Sequence, residues 1–162
     1  MELKRVVVTG LGALTPLGNS APQTWQSLCE GRSGISKITL FDAGACRTQI
    51  AGEVKDLDVS SELDSREARR LDRYTQLAIM SASEALKDSG LDLTTENRDR
   101  IGVIWGSGMG GMMTIERELT DFGKGDGTPR FSAFYIPKSI ANMGGANISL
   151  HFGLKGISYT TV

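Results

Sequence analysis

Apolar residues run along the chain in short blocks punctuated by glycine, and the spacing within each block predicts its conformation. Residues 5–11 carry three consecutive valines and stop at Gly10 and Gly12, the pattern of a strand buried on both faces. Ser20 followed by Gln23 resembles a capping box, and Trp25, Leu28 and Cys29 share one face of the helix that follows until Gly31 stops it, which assigns Cys29 to the core. Residues 35–54 alternate poorly and contain Gly44 and Gly52, so they are expected to be loop with one or two short strands. Ser61 and Asp64 open a polar helical segment that leads into a longer helix, in which Leu71, Tyr74, Ala78, Ala82 and Ala85 recur at steps of three and four as far as Gly90. The small residues on that face predict a buried, tightly packed helix. Residues 101–105 read as a second buried strand, which enters a glycine-rich turn and then a helix over 112–122. After a loop at 123–129, Pro137 is expected in the first turn of a helix running through Ile140 and Met143 toward His151, weakened by Gly144 and Gly145. Residues 156–162, β-branched and aromatic, predict a third strand.

Alternating strands and helices of this kind predict an α/β protein, and 162 residues at 40% apolar content suffice for one core, so residues 1–162 are expected to form one domain. The final strand stops at Val162 without a turn, cap or polar tail, so the native polypeptide is expected to continue and this domain to be partial. With 18 basic residues against 19 acidic ones, the whole molecule has no field to gather nucleic acid or an anionic membrane. The apolar stretch at the N-terminus is too short for a signal peptide or a membrane span. Cys29 and Cys46 fit no metal-binding spacing and have only His151 for company, which predicts neither a metal site nor a disulfide framework and fits a reducing cytoplasm. Glycine, at 20 residues, exceeds its usual share of about 7% and signals close backbone approach.

Three features could carry chemistry. Gly106-Ser107-Gly108-Met109-Gly110-Gly111 satisfies GxGxxG between a strand and a helix, which admits a dinucleotide site; the acidic ribose partner expected about twenty residues on is missing, and the same glycines would equally serve close packing. Val8-Thr9-Gly10-Leu11-Gly12 lacks the third glycine, and Pro16 removes an amide, so a tight turn is expected there. Arg66, Arg69, Arg70 and Arg73 recur at steps of three, one and three and form a positive stripe, either a solvated face or a dock for an acidic, phosphate-bearing partner. His151 has no nucleophile spaced for it and is expected to be structural. No catalytic group is evident.

Residues 5–12 (RVVVTGLG), Thr15-Pro16-Leu17-Gly18, Gly34-Ile35, Asp88-Ser89-Gly90-Leu91, the 106–111 turn, Asn142-Met143 and Gly153-Leu154-Lys155-Gly156 together resemble the N-terminal half of β-ketoacyl-[acyl carrier protein] synthases of the chain-elongating type. The resemblance covers essentially the whole chain. It implies the N-terminal half of a thiolase-like layered fold, a mixed five-stranded sheet with helices on both faces, and decarboxylative condensation of malonyl-carrier with an acyl-enzyme thioester in fatty acid biosynthesis. The family's nucleophilic cysteine would stand at the third position past Val162, and two assisting histidines would come from the second half, so no catalytic residue is expected in this chain and no activity from it alone. The resemblance places Met109, Tyr135 and Ile136 at the acyl pocket, the last two reaching it from a dimer partner, and Arg66, Arg69, Arg70 and Arg130 at the acyl carrier protein dock. It implies acyl and malonyl thioesters as substrates, a homodimer, no cofactor, and a bacterial cytoplasm or plant plastid stroma. A non-catalytic chain-length partner subunit shares the same N-terminal pattern and stands as the alternative, with a dinucleotide-binding module behind it.

Overall fold

The starts of the first two helices are closed by side chains that the sequence places there. The computed structural model describes residues 3–162. α1 (Ala21–Cys29) opens where the Ser20 hydroxyl accepts the Gln23 amide at 3.2 Å. A short antiparallel pair follows, β1 (Ile35–Lys37) with β2 (Ile50–Gly52), in the register Ile35 opposite Gly52. α2 (Ser65–Arg70) is started by a full capping box between Asp64 and Glu67. α3 (Arg73–Ser89) ends at Gly90, whose φ of +67° is the left-handed stop that glycine adopts without strain. β3 (Val103–Gly106) leads through the glycine turn into α4 (Met112–Lys124), then α5 (Tyr135–Ser139), α6 (Met143–Phe152) and β4 (Ser158–Thr161). β4 pairs parallel with β3, Val103 opposite Ser158 and Gly106 opposite Thr161.

These elements form two compact units, one of residues up to Asp58 with Ser81–Gly90, the other of Val59–Met80 with Leu91–Val162, so α3 contributes a segment to each. In the first unit the loop through Gly10 and Gly12 lies on the end of α3. A Cβ on Gly12 would stand 2.0 Å from the Ser81 carbonyl oxygen, so only glycine permits this approach. The second unit holds most of the buried apolar residues, among them Leu63, Ala78, Ile79, Val103 and Ile148.

Four expectations are corrected. Residues 5–11 form no strand: Val6 and Val8 are 91% and 80% exposed, and the amides of Leu11 and Ala13 donate to the carboxylates of Asp88 and Glu84 rather than to a neighbouring ladder. Cys29 is exposed together with Trp25 and Leu28, because α1 buries Ser27, whose hydroxyl donates to the Leu17 carbonyl. The helix expected from Pro137 to His151 is two helices. Ile140 between them is extended, and the carbonyls at 139, 140 and 141 accept from the Gly111 amide, the Tyr74 hydroxyl and the Trp105 indole, so tertiary donors take acceptors that a continuous helix would use internally. β3 is buried on one face only, Val103 inward and Ile104 83% exposed, and the five-stranded sheet expected from the family is represented among the described residues by this one parallel pair. Among the described residues β3 and β4 pair only with each other.

Glu53, immediately after β2, ties down the excursion between the two short strands. Its carboxylate accepts the Thr39 hydroxyl at 2.7 Å and the amides of Thr39 and Leu40. The Thr39 hydroxyl first, then these amides, hold the Glu53 carboxyl below its ordinary value near 4.5. A depressed folded-state value makes its contribution complete above the unfolded value and lost as pH falls through the folded one. Glu53→Gln should therefore lower the urea midpoint at neutral pH and narrow its difference from the midpoint at about pH 3.

Candidate functional site: the glycine turn and the α2 arginines

The turn at 107–111 is held at both ends. Ser107 donates its amide to the Thr161 carbonyl of β4 at 3.2 Å, and Gly111 donates to the Ser139 carbonyl at the end of α5 at 3.0 Å. Inside the turn the Gly110 amide reaches the Ser107 hydroxyl at 3.2 Å. Gly110 has φ +74°, and a Cβ there would stand 2.4 Å from the Ser139 oxygen, so the turn sits directly on the α5–α6 junction. Met109 at its tip projects outward, 68% exposed.

Three amides at the start of α4 are engaged within the protein, which counts against the dinucleotide reading. A bound pyrophosphate needs free amides at the start of the helix. Here the Gly111 amide goes to Ser139, the Met112 amide to the Gly110 carbonyl, and the Thr114 amide to the buried Asp72 carboxylate. Gly110 and Gly111 serve close packing against the Ser139 and Lys138 carbonyls.

Trp105, the last bulky residue before the turn, fixes its base. The indole N–H donates to the Ala141 carbonyl at 3.1 Å, and the ring lies against the first turn of α6. A Cβ on Gly144 would come within 2.6 Å of the ring and one on Gly145 within 2.8 Å of the Trp105 Cβ. The two glycines expected to weaken this helix are thus the condition for its packing on β3. Tyr74 closes the other side by donating to the Ile140 carbonyl at 2.7 Å, and burial raises its phenol, which keeps the proton it donates.

Of the residues expected at the acyl pocket, Ile136 is 57% exposed and Tyr135 is half-buried, its ring 5.3 Å from that of Phe131 and tilted by 35°. They stand at the start of α5, whose end supports the Met109 turn, so one short helix joins the two groups. Of the expected docking residues, Arg66, Arg69 and Arg70 are exposed on α2, the last two in its final turn, where positive charge complements the helix dipole. Arg73 leaves the stripe, because the chain turns extended at Leu71 and Arg73 begins α3. Arg130 pairs with Asp126 at 2.9 Å on the surface, which offsets its charge locally.

Sequence reasoning missed the neighbourhood of Arg70. Its guanidinium lies 5.3 Å from the Phe134 ring centre, beside a groove of about 370 Å³ walled by Leu63, Leu71, Ile79, Phe134, Pro137 and Leu150. His151 also lines it and stands 3.7 Å from the Glu62 carboxylate, edge-on to Phe152. No helix among the described residues is long and apolar enough to cross a membrane. Among the described residues no cluster of three or more His, Cys, Asp or Glu could hold a metal ion.

Comparison with known proteins identifies the arrangement. The family described as "Beta-ketoacyl synthase, N-terminal domain" matches residues 3–162. The chain is 44% identical over 162 residues to 3-oxoacyl-[acyl-carrier-protein] synthase 2 of Staphylococcus aureus (strain COL), covering 98% of this chain and 38% of that protein. It is equally 44% identical to the protein of that name from Synechocystis sp., covering 100% of this chain and 39% of the other. Among solved structures, the ishigamide ketosynthase/chain length factor superposes with a TM-score of 0.86 at 24% identity, over 96% of this chain and 39% of that one. A ketosynthase in complex with its type II acyl-carrier protein superposes at 0.79, also at 24% identity, over 98% and 41%. At these identities the structures show a shared ketosynthase fold, the thiolase-like one. The chain spans less than two fifths of the length of the curated relatives it matches.

Gly144→Ala should force the indole out of its seat, at a cost of about 1–3 kcal/mol. Urea denaturation followed by tryptophan emission measures both the loss and the displaced ring, and an unchanged midpoint would contradict the packing described.

Proposed function

We propose, for a chain that belongs to the β-ketoacyl synthase family as its N-terminal domain, that the full-length polypeptide is a 3-oxoacyl-[acyl carrier protein] synthase of fatty acid elongation. The observation that carries this reading is the 44% identity to synthases of that activity, sustained over the whole chain. In the reaction, a cysteine thiolate beyond Val162 attacks the acyl thioester and releases the carrier thiol. Malonyl-carrier loses carbon dioxide to give an enolate, whose carbon attacks the acyl-enzyme; the new carbon–carbon bond yields 3-oxoacyl-carrier and returns the thiolate. Two histidines from the second half stabilise the enolate and the oxyanion. The present chain supplies the frame for these groups, with β4 leading toward the nucleophile and the open faces of Ile104 and Tyr159 covered by the second half.

Met109, Tyr135 and Ile136 line the acyl pocket, the latter two across a homodimer interface, and their bulk limits chain length. Arg66, Arg69 and Arg70 receive the acidic acyl carrier protein; a structural neighbour is a ketosynthase bound to its own carrier, which supports the partner. Arg130 contributes least, because Asp126 already occupies its guanidinium. The enzyme acts in the bacterial cytoplasm, or the plastid stroma in a plant, without a cofactor.

Incubation of the full-length protein with acyl- and malonyl-carrier should give a 3-oxoacyl product two carbons longer. Absence of product with an intact nucleophile would defeat the proposal, and a residue other than cysteine at that position would assign the chain to the partner-subunit class. Reversing charge at Arg69 and Arg70 should raise KM for carrier-bound substrate by about tenfold while small-thiol substrates are unaffected. Met109→Ala should shift kcat/KM toward longer acyl chains; an unchanged length profile would remove Met109 from the pocket.

A further inference from the structure

Gly111 stands at the N-cap position of α4 and has no side chain with which to cap the helix. The cap comes instead from Asp72, ahead of α3 and 42 residues from the amide it serves. One carboxylate oxygen accepts the Thr114 amide at 2.9 Å and the Thr114 hydroxyl at 2.6 Å; the other takes the Tyr74 amide at 3.2 Å. Asp72 is 5% exposed and Thr114 3%, so water does not compete for these bonds. The carboxyl carbon would lie 3.0 Å from a Cβ at Gly111, so the acid sits directly beneath the end of the turn that carries Met109.

The exposed Met109 side chain has little packing of its own to hold it, and its position is inherited from the turn backbone. That backbone is anchored to Thr161 at its start and to Ser139 at its end, and Asp72 secures the helix into which it runs. We propose that Asp72 is a positioning residue which, through Thr114, sets where Met109 stands and thereby which acyl lengths the synthase accepts. This rests on the reading of Met109 as a pocket-lining residue. The Asp72–Thr114 bonds act at a distance from the acyl chain, and their effect on specificity passes through the methionine.

The test is a double-mutant cycle in the full-length synthase, reading the ratio of kcat/KM for a long and a short acyl-carrier primer. Asp72→Asn keeps the side-chain volume but replaces one acceptor oxygen with an amide donor, and Thr114→Ser keeps both donors. Asp72→Asn should change the ratio about fivefold, the size expected when one hydrogen-bonded partner of a coupled pair is lost. Thr114→Ser should leave it in place, and Asp72→Asn should add nothing in a Met109→Ala background. If Met109→Ala moves the ratio and Asp72→Asn lowers both primers equally, Asp72 is merely structural and the proposal falls alone. If Met109→Ala itself leaves the ratio unchanged, the pocket reading fails and this inference with it. Should Asp72→Asn not fold, Thr114→Val removes only the hydroxyl donor and carries the same cycle, with a silent ratio again overturning the proposal.

Discussion

The second unit is organised around carbonyl and carboxylate acceptors that are claimed by partners far away in sequence. Asp72 accepts from Thr114, Ser139 from Gly111, Ile140 from Tyr74 and Ala141 from Trp105. Asp72 and Ser139 are buried, where an acceptor left without a donor is costly, and each of the four bonds ties two elements together. Together they join the start of α3, the end of β3, the start of α4 and the α5–α6 junction. The glycine turn at 107–111 is where these ties converge.

The same constraint explains the glycines. At Gly111 and Gly144 the neighbour is a carbonyl or an indole at a distance no Cβ tolerates, so glycine is required by what lies opposite. A nucleotide-binding turn would use the same residue type to bring its amides toward phosphate. The difference lies in where the amides point, and here those of Gly110, Gly111, Met112 and Thr114 are spent within the protein.

The exposed apolar surface follows a different rule. Val6, Trp25, Ile104 and Tyr159 are exposed because their segments have no covering element among the described residues, whereas the face of β3 toward α6 is closed by Trp105. The charge pattern is equally local. α2 presents three exposed arginines, while Arg130 is paired with Asp126.

What the sequence determined by itself is local. Asp64 and Glu67 specify the start of α2, Ser20 that of α1, Gly90 the end of α3, and the β-branched and aromatic run at 156–162 a strand, because caps, stops and composition act within a few residues. The motifs of the 106–111 turn and of the chain's opening were also enough to place it in its family. The tertiary structure alone decided which faces are covered and where long-range donors go. Periodicity grouped Trp25, Leu28 and Cys29 on one face but could not say that α1 buries Ser27 instead. Nor could it show that Leu11 and Ala13 would surrender their amides to helix carboxylates, that one expected helix would break at Ile140, or that Arg73 would leave the stripe. Each of these outcomes depends on a partner tens of residues distant or on a turn between helices, and a hydrogen bond across such a distance leaves no trace in local spacing.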